Sequence, residues 1–307
     1  MSPSRIRPSF LTLAALAVLG IYLFATRPEA LADGNAGARD VPVETLFRLL
    51  DAENAAIRKL YTGSIVTPGL KQGLKFDEQW KSAHVEAGPL PALMLRETAS
   101  RLQQRIPEIT LFLGSEYPIE ASNRFSGAQQ QRFAQMERNG QPQFFRDAGT
   151  ARFTAMFPDI ASAEACVSCH NDHPNSPRKD WRMNDMMGAT TWSYPRETLT
   201  TEEMLRILAA LRWSALDTYR AYVDKAQRFR AAPLPRVGAQ WPSDCAACIP
   251  SAEVFRAKVE RLNSAASLNL LLAQAGAQPG SKTGARTSTQ APAQPADAPP
   301  PSPGKAP

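Results

Sequence analysis

The sequence predicts an α+β fold, in which a small antiparallel sheet lies between long helices, followed by a helical extension and a disordered tail. Three observations carry this. Apolar residues recur at helical spacing in residues 42–62 and again beyond residue 198. Short apolar and aromatic runs, broken by turn signals, fill residues 108–195. After Gly276 the chain turns to Ala, Pro, Gly, Ser and Thr, which cannot bury a core.

The elements follow in order. In "PVETLFRLLDAENAAIRKLYT", Leu46, Phe47, Leu49, Leu50 and Leu60 share one helical face. "FDEQWKSAHVEA" (76–87) reads as a second helix, with Phe76, Trp80 and His84 at i, i+4 and i+8. "LPALMLRETASRLQQR" is a third, with Pro91 in its first turn. "EITLFLGSEYP" and "QPQFFRDAGTARFTAMFP" are strand candidates, and "RDAGT" supplies a hairpin turn. "MMGATTWSYP" is a further strand that ends at Pro195. "LTTEEMLRILAALRWSALDTYRAYVDKAQRF" is a long amphipathic helix, with Thr200 and Glu203 as a capping box. "PSAEVFRAKVERLNSAASLNLLLAQAG" is the last helix, with Ser251 as N-cap. The expected organisation is a leader over 1–32, a principal domain over 42–197, a helical extension over 198–275 and a tail over 276–307.

The first residues indicate export. Arg5 and Arg7 precede a nearly unbroken apolar run from Phe10 to Ala25, and "ALA" at 30–32 offers a signal-peptidase site. The same run also reads as an N-terminal membrane anchor, slightly short of the ~20 residues a spanning helix needs. Both readings place the rest of the chain in the periplasm, soluble or anchored to the inner membrane. Net charge is +6, and +4 without residues 1–32, which hold Arg5, Arg7, Arg27 and Glu29. No basic stripe follows, so nucleic acid is not an expected partner.

The chemistry concentrates in "EACVSCHNDHPNSPRKDW". Two of the four cysteines and two of the three histidines lie within residues 166–173. Cys166-Val-Ser-Cys169-His170 is CxxCH, the attachment pattern of one covalent haem c. Two thiols add to the haem vinyl groups as thioethers, and the next residue offers its imidazole to the iron as proximal ligand. Export fits, because such haem is attached outside the cytoplasm. A zinc site would need a second Cys/His pair at close range, and the next cysteine is Cys245. For the distal position His84 and Met94 are the leading candidates, with Met183, Met186 and Met187 also available and an open site the remaining alternative. His173 reads as a supporting or surface residue. Arg178, Lys179 and Arg182 are candidate partners for haem propionates, or a solvated basic segment. Cys245 and Cys248 are followed by Ile249, not His, so no second haem is expected there; a disulfide is.

The run "CVSCHNDHPNSPRKDWRMNDMMGATTWSYP" resembles the c-type haem PAS-like domain family. Its members occur as periplasmic sensory regions of chemoreceptors and sensor kinases, and as free-standing cytochromes. The resemblance rests on Cys166 to Asn171, His173 to Pro177, Asp180–Trp181, Asn184–Asp185 and Gly188 to Pro195. "GPLPALMLRETA" and "SEYPIEASNRFSGAQQQRF" match its upstream segments more loosely, so that residues 42–197 are covered. It implies a PAS-like antiparallel sheet with long flanking helices, haem held against the sheet and His170 as proximal ligand. Residue 184 is Asn where the family pattern has Gly; Asn tolerates the left-handed conformation of such a turn.

The functional expectation is an exported monohaem protein in one-electron transfer or redox sensing, working with a redox or signalling partner protein. The alternative is a haem-based gas sensor acting through a separate partner. A haem enzyme is disfavoured, because no distal acid–base pair is evident in the sequence.

Overall fold

The computed structural model describes residues 40–276. The leader and anchor readings of 1–32 and the tail beyond 276 lie outside the described residues. Among the described residues no helix is long and apolar enough to cross a membrane.

Strand β1 (Asp40–Pro42) leads into helix α1 (Val43–Tyr61). The helical path does not stop at residue 62. It passes through a π turn (Thr62–Val66) into α2 (Thr67–Lys71). Pro68 has no N–H for the carbonyl four residues back, and the wider turn absorbs that mismatch. Next come β2 (Phe76–Asp77), β3 (Gly88–Pro89) and helix α3 (Pro91–Arg105), which starts on its proline as expected. Strand β4 (Thr110–Gly114) precedes helix α4 (Gly127–Asn139). Hairpin β5 (Gln143–Asp147) and β6 (Arg152–Ile160) turns at 148–151, where the Asp147 carboxylate accepts the N–H groups of Gly149 and Thr150. Helix α5 (Glu164–Asp172) separates β6 from β7 (Met186–Tyr194). Strand β8 (Thr198–Thr200), helix α6 (Thr201–Ala226), β9 (Arg236–Gly238), β10 (Cys248–Pro250) and helix α7 (Ala252–Gly276) complete the chain.

The central sheet is antiparallel in the order β4-β7-β6-β5. Its register sends alternate residues to two different cores. Leu111, Phe144, Ala155, Phe157, Trp192 and Tyr194 face the helices and join the principal core with α1, α3, α6 and α7. Phe112, Phe145, Met156 and Ala189 face the other way, onto Phe125, Phe133 and Met136. Gly188 is required on β7: a Cβ there would come within 2.2 Å of the Gly114 carbonyl oxygen on β4.

Two expectations are corrected. Residues 76–87 are not a helix. The Asp77 carboxylate accepts the Gln79 N–H at 2.6 Å, and the Gly88 N–H donates to the Lys75 carbonyl, so the backbone closes a loop between β2 and β3. Trp80 is buried and His84 exposed, so the proposed i, i+4, i+8 face does not form. Helix α4 was not among the expected elements. Its polar sequence buries only Phe133 and Met136, and its clearest signals are Ser126 before it and left-handed Gly140 after it. The expected caps at the later helices are present: Thr200 Oγ1 accepts the Glu203 N–H, and Ser251 Oγ accepts that of Val254.

A buried carboxylate ties the helices together. Glu53 of α1 has no exposed surface. It takes both arms of Arg212 from α6, the Nε at 2.8 Å, together with Asn263 Nδ2 at 3.1 Å and Ser267 Oγ at 2.6 Å from α7. Two residues earlier, burial pushes the Asp51 carboxyl up to about 7 from 3.8, while the Arg58 guanidinium and Trp192 indole pull the other way and Asp159 adds to the rise.

Glu53→Ala strands Arg212, Asn263 and Ser267 and should destabilise by about 3–5 kcal/mol, read from urea unfolding. Asp51 keeps its proton to about pH 7 when folded but loses it near 3.8 when unfolded, so the folded state binds more protons in between. Its stabilisation is therefore full below 3.8 and lost as pH rises through 7. Asp51→Asn, which cannot ionise, should melt roughly 3–6 °C higher than the parent in mildly alkaline buffer, and the gap should close in acid. An equal gap at both ends of the pH range would contradict this.

Candidate functional site

The CxxCH segment is an insertion between the two central strands. Its ends are fastened by the Ala161 N–H donating to the Asp185 carbonyl at 2.9 Å and the Asn184 N–H donating to that of Ala161 at 3.0 Å. Asn184 adopts φ 70°, the left-handed conformation expected at that turn. β6 and β7 slip register between Asp159 and Ile160, where the insertion begins.

Helix α5 carries Cys166, Cys169 and His170 on successive turns. Both thiols are unpaired and partly exposed. The helix exit is held by a reciprocal amide bridge: Asn171 Nδ2 donates to the Trp181 carbonyl, and the Trp181 N–H donates to Asn171 Oδ1, each at 2.9 Å. This gives the Asn that follows CxxCH a defined role. Trp181 is buried and meets the His170 ring edge-on at 6.3 Å. Ala161, Trp181 and Met187 form a small apolar cluster with Cys166 and Val167 packed on it.

The electrostatics suit a ligand histidine. Burial pulls the His170 imidazole below its usual range, Asp159 opposes this and His173 adds to it, which favours the neutral ring. Its Nδ1 is buried without a hydrogen-bond partner, as is Trp181 Nε1. Burial pushes the Cys169 thiol up, with Glu78, Cys166 and Asp172 adding to the rise. His173 Nε2 lies 3.2 Å from the Glu78 carboxylate, which brings the loop between β2 and β3 against the motif. Asp159, near His170, is engaged by Arg58 at 2.8 Å.

The residues present fit a covalent haem. Two free thiols and an uncommitted neutral imidazole stand on one helix beside an apolar cluster. Among the described residues no group of three or more His, Cys, Asp or Glu converges as a metal site. Cys245 and Cys248 are joined to each other, their Cα atoms 5.5 Å apart, in the segment between α6 and α7.

The other candidates are placed as follows. Arg178 stacks over the Trp181 ring at 4.0 Å and pairs with Asp180 at 2.7 Å and Asp185 at 3.6 Å, so its charge is already shared. Lys179 and Arg182 are exposed on the same connection. Met94 is buried in the principal core, and Met183 is exposed. Met186 packs towards α4, and Met187 shares the apolar cluster with Cys166. Sequence reasoning missed Glu78 and Asp159. Glu78 reaches the motif from the loop between β2 and β3, and Asp159 is tied to Arg58 of α1, so no local pattern marks either.

No curated protein and no solved structure matches the chain. A family model described as Tll0287-like matches residues 41–195, from the start of α1 to the end of β7, with the CxxCH segment inside it. That span is half of the chain and contains the whole central sheet: the protein belongs to the Tll0287-like family, a cytochrome c-type, PAS-like family.

Proposed function

We propose that this is an exported monohaem c-type protein that acts in one-electron transfer or redox sensing. The observation that carries the reading is the pair of free, partly exposed thiols of Cys166 and Cys169 on one helix with His170, in a chain whose other cysteines are bonded to each other. Membership of a cytochrome c-type family supports it.

Cys166 and Cys169 would hold the haem as thioethers, and His170 would be its proximal ligand. The group, when bound, supplies a one-electron couple. The protein's part is to orient and to shield. The Asn171–Trp181 bridge fixes the end of the helix that presents His170. Trp181 and Met187 bring apolar surface to the attachment helix and exclude water from its inner face. Lys179 and Arg182 supply exposed positive charge on the adjoining connection, suited to propionates or to an acidic face of a redox or signalling partner, while Arg178 is already held by Asp180 and Asp185. The basic and apolar leader supports a periplasmic location, soluble or anchored to the inner membrane.

Cys166→Ala combined with Cys169→Ala should abolish haem staining of the denatured protein; staining that persists would refute the attachment. Optical spectra of the oxidised and reduced protein, with and without carbon monoxide, test the role. A reduced spectrum unmoved by carbon monoxide is the expected result and means two strong axial ligands. A shift would mean a displaceable distal ligand and would transfer the reading to ligand sensing. His84→Ala should leave the low-spin spectrum unchanged, since the exposed loop position of His84 no longer has a helix to direct it. Loss of the low-spin bands would restore His84 as distal ligand.

A further inference from the structure

A cleft of about 540 Å³ lies between the loop that joins β2 to β3, helix α3 and the last turns of α6. This is within the size range of small-molecule sites. None of its lining residues belongs to the CxxCH segment.

Its charge is unbalanced. Four cations line it, Lys81, Arg101, Lys225 and Arg228, against two carboxylates, Glu86 and Glu97. Both carboxylates are engaged already. Glu97 pairs with Lys81 and, at 3.0 Å, with Arg101. Glu86 accepts the backbone N–H groups of Arg230 at 2.8 Å and Ala231 at 2.7 Å. Lys225 donates to the backbone carbonyls of Trp80 and Ser82, which carry no formal charge to neutralise it. Burial accordingly pulls its ammonium below the usual lysine range, although Asp77 and Glu86 oppose this. Arg101 has its Nε–H buried without an acceptor. Arg228 uses its Nε on the Asp224 carbonyl and is otherwise exposed. Beside these cations the wall is apolar, with buried Trp80 and half-buried Phe229.

We propose that this cleft binds a small organic carboxylate, with its anionic end on Arg101, Lys225 and Arg228 and its carbon skeleton against Trp80 and Phe229. Surplus positive charge calls for an anion, and an unfilled guanidinium donor calls for an acceptor. The adjoining aromatic wall favours an anion that carries hydrocarbon over a bare inorganic one.

The test is isothermal titration calorimetry on the purified full chain. The probes are acetate, benzoate and succinate, with benzamide and inorganic phosphate as controls. At least one carboxylate should bind, benzamide should give no heat, and phosphate should bind more weakly than the best carboxylate. Arg101→Gln and Arg228→Gln should each weaken binding by about tenfold. Arg228 is exposed, so its variant keeps the test valid if Arg101→Gln disturbs the fold. The proposal is overturned if no carboxylate binds at about 10 mM, if benzamide matches benzoate, if phosphate binds best, or if Arg228→Gln retains the parent affinity. None of these outcomes depends on the haem.

Discussion

The architecture depends on one buried carboxylate. Glu53 sits at the centre of the helical layer with no exposed surface, so its charge must be answered by neighbours. Arg212 answers it from α6, and Asn263 and Ser267 from α7. An apolar core of Leu, Ala and Tyr would tolerate several rotations of these helices about their axes. A carboxylate held by three polar partners tolerates far fewer, because each misplacement leaves a buried donor or acceptor unmet. With the helices set, Tyr219 reaches the Pro250 carbonyl and stacks on Phe255, while Tyr61 reaches that of Pro89.

The sheet transmits that order to the chemistry. Its helix-facing side is locked into the principal core, and its other side is closed by α4. The break in alternation falls at Asp159–Ile160, where the register slips and the CxxCH insertion leaves. The CxxCH insertion therefore hangs from the two most central strands of the sheet, pinned at its base by backbone hydrogen bonds and, at the exit of its helix, by Asn171. Burial also pulls the His170 imidazole below its usual range and so favours the neutral form, the one that can donate its lone pair.

Positive charge is distributed with some economy. Arg58, Arg178 and Arg212 each meet a carboxylate close to the residues they support. The cations around the cleft by α3 and α6 are less completely matched, and this sets that surface apart from the CxxCH segment.

Much of the fold was legible in the sequence because its signals are local. Helical spacing marked α1, α3, α6 and α7; alternation and the "RDAGT" turn marked the sheet; Thr200 and Ser251 marked two helix starts. The CxxCH pattern was legible for the same reason, being a run of five residues, whereas the helix that carries Cys166, Cys169 and His170 emerged only in the structure. What failed was the reading of 76–87, where a helical period was present but Asp77 and the pairing of Phe76 with Gly88 offered the backbone a better set of partners. Glu53, Glu78 and Asp159 read as ordinary polar residues in one dimension. Only the tertiary structure decided their roles, because the partner of each lies in another segment of the chain, and a residue's burial and neighbours are properties of packing that spacing does not encode.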